Sequence, residues 1–356
     1  MLYHDSLHTG RVGVWTQEIS RLKFPSSNSL STGAHDQQSW VFFENLWLCQ
    51  AGLHHAEKIY MRRSFSTMFA LLFAFILLGA SVARCADDNP PNVPASKPSQ
   101  GSTNGFLRNW FAMVGKTQAE QPHWATPVAM VTPRLEQEFR FDMSRQVQPD
   151  GTTVLENFDG SKGLEFIPQR HVEILINLPP YLVRSEKRVP DGFGDVSFVM
   201  KYRILSANEQ HGNYILTAFL GGSIPTGSYT NGTKEATITP TLAAGKGWGN
   251  FDAVTTLGAI LPVGETSLIG RQIVWNSTLQ YRVLRKIWPE VEINSTFFSD
   301  GPNAGKKQAF VTPGIVLGKF PIWHRLGVTV GTGVQIAATQ FHTYNHRYIL
   351  TLRIPF

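Results

Sequence analysis

The sequence predicts an all-β chain: a transmembrane, antiparallel, up-and-down β-barrel of about twelve strands, with ten as the fallback count. Three observations carry that expectation. Several segments alternate apolar and polar residues over ten positions or more, whereas ordinary strands centre on about five or six and tilted membrane strands need about 9–11. One face of these segments is aliphatic and aromatic, and the other carries full charges with Asn and Gln, the inside-out order of a barrel that meets lipid outside and water within. Finally, the chain closes on an alternating strand whose last residue is Phe356, as bacterial outer-membrane barrels do.

Composition narrows the alternatives. The 356 residues are 42% hydrophobic and 12% aromatic, but only 16% charged, against about 25% charged in an average globular chain. This hydrophobicity is too high for a mostly disordered protein, and the 31 glycines and 21 prolines follow no period that would suggest a collagen-like or helical array. Two cysteines, Cys49 and Cys85, supply neither a disulfide framework nor a CxxC zinc site.

Residues 1–60 show no sustained period of 2 or 3.6 and read as an unstructured upstream extension, or a start placed too early. Met61-Arg62-Arg63 then opens a basic, apolar, small-residue succession through Met68–Leu78 to Ser81-Val82-Ala83. That is the order of a signal peptide, predicted over 61–83 with cleavage after Ala83. Its apolar run is too short to span a bilayer as a helix. Arg84 before Cys85 argues against a lipoprotein site. A Pro/Ser-rich periplasmic linker is expected over 84–125, carrying a short amphipathic helix with Phe106, Leu107, Trp110, Phe111 and Val114 on one face. The barrel domain is expected over 126–356, in the outer membrane of a Gram-negative cell. From residue 84 onward the positive excess is too small to argue for a nucleic-acid partner.

Along the barrel, Phe139, Phe141 and Met143 alternate with Glu138, Arg140 and Asp142. Phe198, Met200 and Tyr202 alternate with Ser197, Lys201 and Arg203, and Ile273, Trp275, Leu279 and Tyr281 with Gln272, Asn276, Gln280 and Arg282. Val291 and Ile293 alternate with Glu290, Glu292 and Asn294, and Tyr348, Leu350 and Leu352 with Arg347, Thr351 and Arg353. Less patterned strands are expected at Ala236–Gly245 and Gly163–Ile167. With the last strand ending in the periplasm, Phe320–His324, Arg285–Pro289 and Lys246–Asn250 become short periplasmic turns. Each contains one tryptophan, as an aromatic girdle requires. Longer polar connections at Gln146–Lys162, Leu182–Phe193, Pro225–Glu235, Pro262–Gly270 and Ser299–Lys307 then face outward.

This register places Glu138, Arg140, Asp142, Glu173, Lys201, Arg203, Asp252, Gln280, Arg282, Glu290, Glu292, Arg325, Arg347 and Arg353 as lumen-lining candidates. Twelve strands enclose a space that side chains nearly fill, so mixed charges predict internal ion pairs and a narrow pore. Closure of the first strand on the last predicts contacts of Glu138 and Asp142 with Arg347 and Arg353. The expected partners are outer-membrane lipid, a small-molecule solute that the residues do not identify, and the barrel-assembly machinery, engaged through the C-terminal strand and Phe356 as insertion signal. No cofactor and no metal is expected.

The same residues bear on other classes. A phospholipase-like barrel enzyme needs a nucleophile, a histidine base and an orienting group within reach, and no serine shares a strand face with a histidine, so no catalytic residue is assigned. His342-Thr343-Tyr344-Asn345-His346 reads as an exposed polar loop. A soluble secreted β-protein would need the lipid-facing band as a buried core, and a non-conducting structural barrel remains the bland alternative.

Gly192-Phe193-Gly194-Asp195, then Lys201–Leu205, Ile224-Pro225-Thr226-Gly227, and the glycine-rich Gly245-Lys246-Gly247-Trp248-Gly249 together resemble the MetA-pathway of phenol degradation family, over roughly Thr126–Phe356. The resemblance implies an outer-membrane barrel transporter for hydrophobic or aromatic compounds, and no catalytic residues. Gly192, Gly194, Asp195, Pro225 and Gly227 are its motif positions, and they also read as loop-closing and strand-exit residues.

Overall fold

In the computed structural model, residues 103–159, 162–186 and 188–356 are described. The expected extension, the signal peptide and the first part of the linker lie outside them. A helix α1 (Thr103–Ala119) comes first, followed by an irregular stretch to Gln137. Fifteen strands then form one sheet that closes on itself.

The first strands are β1 (Glu138–Val147), β2 (Val154–Phe158), β3 (Gly163–Gln169), β4 (Val172–Asn177), β5 (Tyr181–Arg184), β6 (Gly192–Phe193) and β7 (Val196–Ala207). After them come β8 (Tyr214–Ile224), β9 (Thr237–Trp248), β10 (Phe251–Pro262), β11 (Gln272–Tyr281), β12 (Ile287–Phe298), β13 (Lys307–Trp323), β14 (Leu326–Ala337) and β15 (His346–Pro355). The wall is a closed barrel of 12 antiparallel strands. Its fifteen segments reduce to that number because three staves are interrupted. Along one side of β1, Met143 pairs with Phe158 of β2 and Glu138 with Glu165 of β3, so β2 and β3 are the outer and inner halves of one stave. The pairs β5 with β4, and β6 with β7, continue the same pattern. Between β4 and β5 lies Leu178-Pro179-Pro180, and proline cannot donate to a ladder. Two expected outer loops are therefore shorter than predicted. Val154–Phe158 and Tyr181–Arg184 are strand, with the connections reduced to 148–153 and 185–191.

The two weakly patterned strands exist as β9 and β3. The seam is closed by β1 on β15, where Glu138 faces Pro355 and Arg140 faces Arg353. Glu138 and Pro355 mark the inner rim of the barrel, along with short turns such as Gly249-Asn250, where Gly249 takes φ 61, the left-handed geometry of a two-residue hairpin.

The wall is inverted relative to a water-soluble protein. Tyr202, Leu242, Leu257 and Trp275 are all more than half exposed on the outer surface, while Lys201, Glu173, Asp252 and Glu292 are 0% exposed inside. Such an arrangement is stable only where the outer solvent is hydrocarbon. The girdle needs one correction. Trp248 and Trp323 face outward, but Trp288 is buried in the lumen, because β12 begins one residue before it, at Ile287, so that Trp288 shares the inward face with Glu290.

Candidate functional site: a lumen filled by the chain itself

Helix α1 lies across the inner rim. Trp110 donates from Nε1 to the carbonyl of Ile167 at 2.8 Å. The Arg325 guanidinium sits 4.9 Å from the Phe111 ring centroid and donates to the Phe111 carbonyl at 3.4 Å. A helix leaves its last carbonyls unpaired. Here Arg203 takes that of Thr117 (2.7 Å), Asn208 that of Ala119 (3.0 Å) and, just past the helix end, Ser206 that of Glu120 (2.8 Å). The predicted apolar face is therefore split. Val114 is fully buried, whereas Phe106 and Leu107 stay exposed because the first turns reach beyond these anchors.

Glu120 adds a pH-sensitive contact. Partial burial pushes its carboxyl up, but the hydrogen bonds and charge of Arg170 (2.6 and 2.9 Å) and the charge of Arg203 outweigh this and hold it below the usual carboxylate value. A depressed value makes the contact stabilising above about pH 4.3, and the contribution is lost as pH falls through the folded value. Proteolysis within α1 is expected to rise only in that acidic window, and Glu120→Gln is expected to remove the step.

From Gln121 the chain enters the lumen and returns as a hairpin to Gln137. Its legs are stapled by one side chain: Gln121 donates to the Leu135 carbonyl (2.8 Å) and accepts from the Leu135 N–H (2.9 Å). The turn region is held from two sides of opposite charge. Carboxylates of Glu290 and Glu292 accept the backbone N–H groups of Val128 (2.8 Å), Ala129 (2.6 Å) and Met130 (2.9 Å). Across the lumen, Arg353 donates to the carbonyls of Thr126 (2.5 Å) and Pro127 (2.7 Å), and Arg140 to that of Val128 (2.5 Å). Buried backbone groups must find partners, and here the barrel wall supplies them. Trp124, Val128 and Met130 fill the remaining space against Ile215, Val254, Trp288, Val316 and Ile349. A Cβ on Gly245 would come within 2.5 Å of the Trp124 ring, and one on Gly247 within 2.7 Å of its Nε1. The glycine-rich strand end is thus the seat of that indole.

On the returning leg, Thr217 donates to the Pro133 carbonyl (2.6 Å) and the Glu136 N–H to Glu173 (2.5 Å). Lys201 lies 2.7 Å from Glu173 and 3.7 Å from Glu165. Above the hairpin, Asn276, Asn294 and Gln335 are linked side chain to side chain, with Tyr344 donating to Gln335.

Most of the predicted lumen residues therefore sit inside. Glu138, Arg140, Asp142, Glu173, Lys201, Arg203, Asp252, Gln280, Glu290, Glu292 and Arg353 are buried, and Gln280 donates to Glu290 at 2.6 Å. Three differ. Arg325 is exposed in the two-residue turn between β13 and β14 and serves α1. Arg282 follows the end of β11, bonds Asn250 (3.1 Å) and lies over Trp288. Arg347 is half-buried near the outer rim, over the Tyr344 ring. The predicted seam contacts are corrected too. Asp142 pairs with Arg140 on its own strand at 2.8 Å, because Arg353 is committed to the hairpin carbonyls. The expected boundary between residues 125 and 126 falls inside this hairpin, whose legs Gln121 and Leu135 join across it.

The family-motif residues gather at the outer rim. Asp195 accepts from the Gly227 N–H (2.8 Å) and from the Thr233 N–H (2.6 Å) and hydroxyl (2.7 Å). Gly194 donates to the Pro180 carbonyl (2.7 Å). A Cβ on Gly227 would meet Gly232 Cα at 2.4 Å, and one on Gly192 the Ser228 hydroxyl at 2.2 Å. Pro225 follows the last residue of β8, ending that strand. Together they latch the 225–236 loop onto the strand ends at the outer rim. Asp195→Ala strands these donors, and hydrogen bonds to a charged acceptor contribute about 1.5–3 kcal/mol each. We expect faster proteolysis of the 225–236 loop in the variant, with heat-modifiable barrel mobility retained.

His123 pairs with Glu209 (2.8 Å), His211 with Asn208 (2.7 Å) and His342 with Asn345 (2.9 Å). Among the described residues, no cluster of metal-ligating side chains occurs.

No family model matches the chain, and no curated protein does. Among solved structures, it is similar to an outer membrane channel from Pseudomonas putida F1 at 13% identity, over 61% of this chain and 93% of that one, with a TM-score of 0.42. It is also similar to the NanC porin at 9% identity, over 61% of this chain and 98% of that one, with a TM-score of 0.42. The fold assignment rests on the strand pairing itself.

Proposed function

We propose that the chain is a passive outer-membrane transporter for small hydrophobic or aromatic compounds, held closed by its own N-terminal hairpin. The observation that carries this reading is the two-sided clamp on that hairpin, with Glu290 and Glu292 on one wall and Arg140 and Arg353 on the other. Charges that would line a water-filled passage are instead spent on backbone groups of a removable segment. Movement of that segment would leave a polar lumen between oppositely charged walls, through which a solute moves down its gradient without a cofactor. The resemblance of the Gly192–Asp195 and Ile224–Gly227 segments to the phenol-degradation family supports the solute class. Export through the 61–83 signal, insertion through the strand ending at Phe356 by the barrel-assembly machinery, and a Gram-negative outer membrane complete the proposal.

The test is planar-bilayer conductance, with heat-modifiable gel mobility confirming the barrel. The full chain is expected to show rare or small current steps, and a variant lacking residues 121–134 large discrete ones. A folded, hairpin-deleted barrel that carries no current would sink the transporter reading.

A further inference from the structure

The outer half of the lumen holds a cavity of about 290 Å³, near the lower end of the size range of small-molecule sites. Its wall differs in kind from the lumen beneath it. Below, β1, β3, β4, β7, β12 and β15 contribute buried ionisable side chains. Around the cavity, no lining residue is ionisable. Four neighbouring strands, β7 to β10, present the hydroxyls of Ser197, Ser223, Thr237, Thr239, Thr241 and Thr256, interleaved with apolar Val199, Phe219 and Ile260. Ser223 and Thr237 share a hydrogen bond of 2.7 Å, and Thr256 accepts from Asn276 at 3.1 Å. The hydroxyls of Thr239 and Thr241 have no partner among the described residues. The Lys201 ammonium lies 5.7 Å from the Phe219 ring centroid, but it is committed to Glu173 at 2.7 Å.

We propose that this cavity binds an uncharged solute combining a small apolar body with hydroxyl groups, and that it rejects an ionised analogue of the same size. This deepens the transporter reading above and rests on it. A solute hydroxyl exchanges water for Thr239 or Thr241 at little cost, and its apolar body is removed from water against Val199, Phe219 and Ile260. A carboxylate entering the same space loses hydration with no countercharge free to receive it, the situation in which burying a charge is most unfavourable.

Phenyl β-glucoside and phenyl β-glucuronide differ by one carboxylate in place of a hydroxymethyl group, which makes them a matched pair of probes. Titration calorimetry of the full chain in detergent micelles is expected to show the glucoside bound at least about tenfold more tightly than the glucuronide. Thr239→Val, which removes a hydroxyl at constant volume, is expected to weaken the glucoside about threefold to tenfold. Thr241→Glu is expected to abolish its binding, and if that variant does not fold, Thr239→Val decides. Equal or tighter binding of the glucuronide overturns the proposal, as does absence of glucoside binding to the folded wild type. Liposome swelling, measured separately, keeps the two readings apart. Selective binding without flux sinks the transporter reading and leaves the site, whereas flux without charge discrimination sinks the site alone.

Discussion

Replacing Glu290 and Glu292 together by glutamine is expected to turn a mostly closed barrel into a frequently conducting one. These carboxylates accept three consecutive N–H donors, from Val128, Ala129 and Met130, and hydrogen bonds to a charged acceptor contribute about 1.5–3 kcal/mol each. At residue 292 a glutamine retains one carbonyl acceptor but turns an NH₂ donor toward the second N–H, so one hairpin bond is lost and another weakened, while at residue 290 the single bond from Val128 is weakened. About 5.5 kcal/mol moves a two-state equilibrium from 1:99 to 99:1, and one such bond lost with two weakened covers a large part of that range. Single-channel recording reads the open fraction directly. The outcome against the prediction is an open fraction unchanged from wild type in a barrel that still shifts mobility on heating.

The second large effect is on stability. Lys201 is fully buried between Glu173 and Glu165, themselves 0% and 2% exposed. Lys201→Met leaves buried carboxylates without their cation, and removing one partner of a buried pair destabilises by about 3–5 kcal/mol. It also releases the Arg134 carbonyl on the returning leg of the hairpin. Denaturant unfolding in micelles should show the loss, with Lys201→Met/Glu173→Gln recovering part of it because the stranded charge is gone. Additive losses in the double variant would show that the two side chains do not act as a pair.

Much of the wall was legible from period-two alternation, because a strand facing lipid on one side and polar groups on the other must write both environments into alternate positions. Phe198, Met200 and Tyr202 against Lys201 and Arg203 are enough to fix that register. The interrupted staves were not legible. Val154–Phe158 and Tyr181–Arg184 are short, and Pro179-Pro180 reads equally as a loop. The hairpin was hidden for a different reason. Its backbone groups are satisfied by side chains more than a hundred residues away, such as Glu290 and Arg353, and no local period records a contact of that kind. Trp288 shows the same limit: its position beside a turn fitted a girdle, and only the starting point of β12 decided that it points inward.

Arg140 and Arg353 stand opposite one another on β1 and β15, the first and last strands to be made, and between them they hold the carbonyls of three consecutive residues of the hairpin. Side by side, two guanidinium groups repel, and the carbonyls of Thr126, Pro127 and Val128 are what lie between them and their mutual repulsion. The segment that fills the lumen therefore also works as a mandrel. Without it the two ends of the sheet can still close, because Asp142 stays paired with Arg140 at 2.8 Å, but Arg353 then loses its carbonyl partners. The same segment thus fills the lumen and screens the seam at which the sheet closes.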